Sequence, residues 1–157
     1  MKKGLYPALI LLVFGCVKED GSVALPGVGA CGSDGHRIEL SVDGNGWCAA
    51  ANVTGVASPD GEALITGLGL SGQLFAFQID SIMVGDFAIN EAGNAVTWTE
   101  NSDNFTSTTT DPGTLHISAY DPTEHRIRGS VEVTVHDAEA IASRTIAGEF
   151  DVICTVQ

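Results

Sequence analysis

The sequence predicts an all-β protein, an antiparallel β-sandwich or flattened up-and-down barrel of about nine short strands, and three observations carry that expectation. The first is strict alternation of apolar and polar side chains over the carboxyl third, the period of two that a half-buried strand requires. Leu115, Ile117 and Ala119 share one face of residues 114–120; Ile127, Gly129, Val131, Val133 and Val135 share one face of 126–136; Ile146, Gly148, Phe150, Val152, Cys154 and Val156 share one face of 145–156. The second is composition: 19 glycines in 157 residues, with frequent Thr, Val and Ile and no long run of Leu, Glu, Lys and Arg at helical spacing. The third is the recurrence of Gly, Asn, Asp and Pro clusters at short intervals, which are turn signals between strands.

In chain order, residues 37–42 alternate (Ile38, Leu40, Val42 inward) and meet Asp43-Gly44-Asn45-Gly46. Gly and Asn tolerate positive φ, so this is a hairpin, with residues 47–54 returning and Trp47, Ala49, Ala51 and Val53 on one face. Ser58-Pro59-Asp60-Gly61 is the next turn, followed by strands over 63–69 and 73–80, the latter with Phe75, Phe77 and Ile79 inward. Residues 84–90 and 95–100 flank Glu91-Ala92-Gly93-Asn94 as a further hairpin, and 101–112 is polar and Thr-rich, part exposed strand and part loop. The helix candidate, 138–143, is too short to hold itself together. A single domain is expected over residues 36–157, and the sequence contains no internal repeat.

The amino terminus has its own logic. Lys2 and Lys3 precede an apolar run over 5–14, too short for a permanent membrane helix, and residues 1–15 read as a signal peptide. Val13-Phe14-Gly15-Cys16 resembles the lipobox of bacterial lipoproteins, which implies that Cys16 is lipidated and becomes the mature terminus. Lys18-Glu19-Asp20 resembles the basic-then-acidic signal that sends some lipoproteins to the outer face of the outer membrane. Residues 16–35, glycine-rich and without periodicity, read as a flexible tether. Without residues 1–15 the chain carries 5 basic against 20 acidic groups, a net −15, which repels phosphate backbones and argues against nucleic-acid binding.

Gly113-Thr114-Leu115-His116-Ile117 leading to Tyr120-Asp121, then Ile127-Arg128-Gly129-Ser130-Val131, then Ile146-Ala147-Gly148-Glu149-Phe150-Asp151-Val152, resemble a family of small bacterial lipoproteins of unknown function. Asp43-Gly44-Asn45-Gly46-Trp47 is similar to the opening hairpin of that family. Val131 stands where the family usually has Phe, and Trp98 where it often has Tyr; both keep the core apolar. The resemblance implies an all-β, membrane-anchored domain. It supplies no active site.

Candidate chemistry is sparse. With Cys16 lipidated, Cys31, Cys48 and Cys154 remain for one disulfide in an oxidising compartment, either Cys48 with Cys154 or Cys31 with Cys154. His116 and His136 share the outward phase of adjacent strands and are weak candidates for a metal site with Asp137 or Glu139. No Gly-x-Ser-x-Gly elbow exists, and Ser118 merely shares the phase of His116. Asp43-Gly44-Asn45-Gly46 lacks the later Glu of a calcium loop. Ser81, in Asp80-Ser81-Ile82, matches a short O-glycosylation pattern, and Trp47, Trp98 and Tyr120 are a possible sugar-binding set, with Trp47 in the core phase.

These readings add up to an expectation of a non-enzymatic, lipid-anchored protein of the bacterial outer membrane, without cofactor, with a binding or structural role toward an unidentified envelope or extracellular partner. The alternative is a carrier whose barrel interior, lined by Phe75, Phe77 and Phe150, holds an apolar molecule. A metal-dependent enzyme using His116 and His136 is the weaker alternative.

Overall fold

The computed structural model describes residues 31–49, 51–90 and 93–157. They form one mixed sheet of twelve strands, with no helix among the described residues. The strands are β1 (Gly32–Ser33), β2 (His36–Val42), β3 (Asn45–Cys48), β4 (Ala51–Ala57), β5 (Ala63–Leu68), β6 (Leu74–Ile79), β7 (Gly85–Ile89), β8 (Ala95–Glu100), β9 (Asp103–Ser107), β10 (Gly113–Asp121), β11 (Arg126–His136) and β12 (Ser143–Val156).

The two longest strands form the axis. β11 and β12 pair antiparallel from Arg126 with Ile153 to His136 with Ser143. Each changes its other neighbour partway along. β12 lies against β2 up to Val152 and runs parallel to β4 from Cys154 onward. β11 lies against β10 up to Glu132 and against β9 at Val135 and His136. Because β4, β5, β6, β8 and β9 are successive antiparallel neighbours, the hydrogen-bonded path that leaves β12 through β4 returns to β11 through β9. β7 lies outside β10, and β1 and β3 share the outer edge of β2.

Local chemistry explains the key joints. The β2–β3 turn uses Asp43 (φ 51°) and Gly44 (φ 79°), two left-handed residues in succession, which matches the twist of a tight hairpin. Asn45 and Gly46 already belong to β3. Where β12 meets β4, a Cβ on Gly55 would lie 2.6 Å from Cys154 Sγ, so only glycine admits that sulfur.

The alternating faces meet in one core. Phe77 and Phe150 stand 4.8 Å apart between ring centres, Phe75 and Phe77 5.5 Å, and Trp47 meets Trp98 edge-on at 5.2 Å. Each such side chain taken from water contributes about 1.5–3 kcal/mol, and Ile38, Ile65, Ile117, Ile127, Val135, Ile146 and Val152 are fully enclosed beside them.

Several expectations require correction. There are twelve strands, not nine, and the β12–β4 pair is parallel. Residues 47–54 divide into β3 and β4, because Asn52 adopts φ 53° and the register shifts between Ala51 and Thr54. The strand expected within 101–112 is β9, but it is not an exposed one: Phe105 and Ser107 are buried. β1 lies within the expected tether, so among the described residues strand pairing starts at Gly32. The hairpin expected across Glu91-Ala92-Gly93-Asn94 does not form: β7 pairs with β10, whereas β8 pairs with β6 and β9, matching Trp98 with Phe75 and Val96 with Phe77. Residues 138–143 form no helix; Asp137 and Ala142 close a hairpin loop. A bulge between Ile117 and Ala119 leaves Ser118 unpaired in the β10–β11 ladder and turns Tyr120 onto the core instead of outward. Val156, expected inward, is exposed at the end of the sheet.

Candidate functional site

Two open clefts bring polar groups together. The first, about 400 Å³, lies beside the β2–β3 turn and the end of β8, lined by Asp43, Asn45, Trp47, Gln73, Trp98, Glu100 and Arg144, with Val42 and Gly46. Trp47 comes from β3, Trp98 and Glu100 from β8, and Arg144 from the start of β12. Arg144 Nε donates to Glu100 Oε1 at 2.5 Å, Asp43 Oδ2 lies 3.6 Å from the same nitrogen, and the guanidinium sits 4.7 Å from the centre of the Phe105 ring. The charge in this cleft is therefore paired internally. The indole N–H groups of Trp47 and Trp98 are both buried without a hydrogen-bond partner. Buried donors are rarely left so, and two in contact mark a place under polar strain. None of the lining residues is Ser, Thr, Cys or His.

The second cleft, about 250 Å³, crosses β10, β11, β12 and β2 and is lined by Arg37, His116, Ser118, Arg128, Ser130, Glu149 and Asp151, among others. His116 Nδ1 lies 2.5 Å from Asp86 Oδ1, and Ser130 faces His116 across the ladder. Ser118 donates its hydroxyl to the Arg128 carbonyl at 3.2 Å. The imidazole is half exposed, so the pair works in near-bulk dielectric, where a histidine–carboxylate contact has little power to activate a hydroxyl.

At the rim of this cleft Arg126 grips Asp151 with two bonds, at 2.7 and 2.6 Å, and also holds Asp34. The bonds from Arg126 pull the Asp151 carboxyl below its ordinary range, against a smaller opposing effect of burial. Asp121 is lowered too, by the N–H groups of Thr123 and Glu124 in the β10–β11 turn.

The structure separates several residues that the sequence suggested together. His116 faces Ser130, and His136 is six residues further along β11, a separation of about 20 Å, so the two histidines do not share a site. His136 instead contacts Asp111 at 3.4 Å, and Asp137 accepts from the Ile141 N–H. Among the described residues no group of three metal-ligating side chains occurs. Asp43 serves the turn, accepting from the Thr145 N–H at 2.9 Å. Ser81 is half-buried in the β6–β7 loop, and Tyr120 lies away from Trp47 and Trp98, which do share a cleft.

Neither expected disulfide is present; Cys31, Cys48 and Cys154 are free thiols. Cys48 faces Glu39, Glu39 faces Glu149, and Cys154 is five residues beyond on β12, so about 16 Å of strand separates the rows. A disulfide spans Cα atoms no more than about 7 Å apart. Cys31 is likewise separated from β12 by the full width of β2. Cys154 rests in the core against Gly55, where burial raises its thiol to about 11. Cys16, Lys18, Glu19 and Asp20 lie outside the described residues.

The residues that sequence reading missed are Gln73, Glu100 and Arg144. They come from distant strands, and the visible hint was that Glu100 and Arg144 are opposite charges at strand ends. No family model, no curated protein and no solved structure matches this chain.

Proposed function

We propose that this chain is a lipid-anchored, non-catalytic domain of the bacterial envelope that binds or scaffolds a partner, with the Trp47–Trp98 cleft as its recognition surface. The anchor reading is supported by Lys2, Lys3, the apolar run and Gly15-Cys16, followed by Lys18-Glu19-Asp20. The observation that carries binding over catalysis is the cleft itself: it has room for a small polar group, it is lined by no Ser, Thr, Cys or His, and its two carboxylates, Asp43 and Glu100, are both held by Arg144. The carrier reading is less favoured, because Phe75, Phe77 and Phe150 pack on one another in the space a ligand would need.

The same reading treats the architecture as a two-layer sandwich. β1, β2 and β3 join β7 and β10 through the long β11–β12 pair to make one layer, and β4, β5, β6, β8 and β9 make the other, meeting the first at one end of β12 and of β11. The ring contacts of Trp47 with Trp98 and Phe75, and of Phe150 with Phe77, run across that division.

The test is protease accessibility of the tagged protein on intact diderm cells, with a permeabilised control and a Cys16→Ala variant. Digestion on intact cells supports surface display, and protection until permeabilisation indicates an inward-facing domain. Release of the wild type into the soluble fraction, indistinguishable from Cys16→Ala, would overturn the anchor.

A further inference from the structure

A second pair of cysteines meets where neither expected bridge was sought. β1 and β3 share the outer edge of β2, with Gly32 opposite Arg37 and Cys48 opposite Glu39, and the Ala49 N–H donates to the Ile38 carbonyl at 3.1 Å. Only Ile38 separates the two registers. Cys31, the residue before β1, and Cys48, the last of β3, therefore reach the same point of that edge from opposite directions. The Cys31 thiol lies near enough to Cys48 and to the Glu39 carboxylate for both to raise its pKa.

We propose that Cys31 and Cys48 are joined by a disulfide in the mature protein, fastening the start of the domain to the β2–β3 hairpin. β1 has only two residues, too few to hold the chain against fraying. With the bond in place, a pull on the amino terminus is delivered to β3 and its ladder instead of peeling β1 away. Cys154, buried on the far side of β2, stays a thiol.

The chemistry is thiol–disulfide exchange with a donor disulfide, either a low-molecular-weight one or an exported oxidoreductase. One thiolate attacks the donor and forms a mixed disulfide, expelling a donor thiolate. The second attacks that mixed disulfide, forming the Cys31–Cys48 bond and releasing the other donor sulfur. Two protons leave the protein, and two electrons reduce the donor to its thiols. Burial, followed by the contact with Cys48, raises the Cys31 thiol to about 11, so Cys31 is slow to supply a thiolate.

Formation of the bond in cells rests on the envelope location proposed above, and the experiment separates the two. The full-length protein is extracted in detergent from a diderm host, alkylated before and after reduction, digested and mapped by mass spectrometry. A second sample is first equilibrated with glutathione disulfide. The expected result is a Cys31–Cys48 cross-linked peptide in both, about 2 Da below the sum of its reduced halves, retained in Cys154→Ser and lost in Cys48→Ser. A bond that forms only with glutathione disulfide upholds the pairing and removes the oxidising location. Free Cys31 and Cys48 in both samples, or a bond to Cys154, overturns the pairing.

Discussion

Arg126 shows how much of this fold hangs on single side chains at the surface of the sheet. Its guanidinium joins Asp151 on β12 to Asp34 in the β1–β2 turn, and both Arg126 and Asp151 are mostly covered. Replacing Arg126 with Met leaves Asp151 charged and mostly covered, with only Arg128 Nε, 3.4 Å away, to pair with it. The expected outcome is a fall in melting temperature of several degrees at neutral pH. The pH dependence follows from the sign of the shift. The folded-state pKa of Asp151 lies below its unfolded value, so the stabilisation is full above about pH 4 and is lost as pH falls through the folded pKa. The gap between wild type and Arg126→Met therefore narrows in acid. Thermal melts at pH 7 and pH 3 that differ by the same amount would remove this account.

Among elements, the β12–β4 junction is the most tightly specified. Cys154 Sγ and the Val152 side chain occupy the space beside Gly55. Gly55→Ala is expected to cost about 1–3 kcal/mol through overpacking, and Cys154→Ala in the same chain should recover a large part of it, a coupling that a double-mutant cycle in urea reads directly. A cycle with additive losses would show that the strain lies elsewhere.

This junction also marks the limit of what the sequence discloses. Alternation identified β10, β11 and β12 because each has one wet and one buried face, and Phe75, Phe77 and Phe150 were legible as core for the same reason. Pairing was less legible. Glu91-Ala92-Gly93-Asn94 looks like a hairpin turn, yet Asn94 is bound to Asp80 N and the Ala88 carbonyl, and β8 is drawn to β6 by Trp98 and Val96. Neither bond is local in the pattern. Tyr120 turned inward through a bulge at Ser118, and a one-residue slip reverses every later side chain. Of the candidate site, Trp47 and Trp98 were legible as members of one aromatic set, whereas Gln73, Glu100 and Arg144 were not. The cysteine pairing was misread because the spacing of Cys31 and Cys48 says nothing about which edge of β2 they share.

For the whole molecule, charge is the dominant long-range quantity. With 5 basic against 20 acidic groups outside residues 1–15, self-repulsion opposes the compact state. Raising sodium chloride from about 0.05 to 0.5 M should therefore raise the melting temperature by a few degrees, since the Debye length shrinks well below the domain's width. A flat or falling response would mean that the ion pairs at Arg126 and Arg144, also screened by salt, outweigh the repulsion.

One strand late in the chain ties the two parts of the sheet together. β12 pairs with β11, β2 and β4. Until residues 143–156 leave the ribosome, β2 and β4 have no common neighbour and β11 has no long partner, so the core cannot close. Folding is thereby postponed until β12 has been made. Until then the nascent chain stays extended and threadable, the condition a polypeptide must be in to pass through a narrow pore.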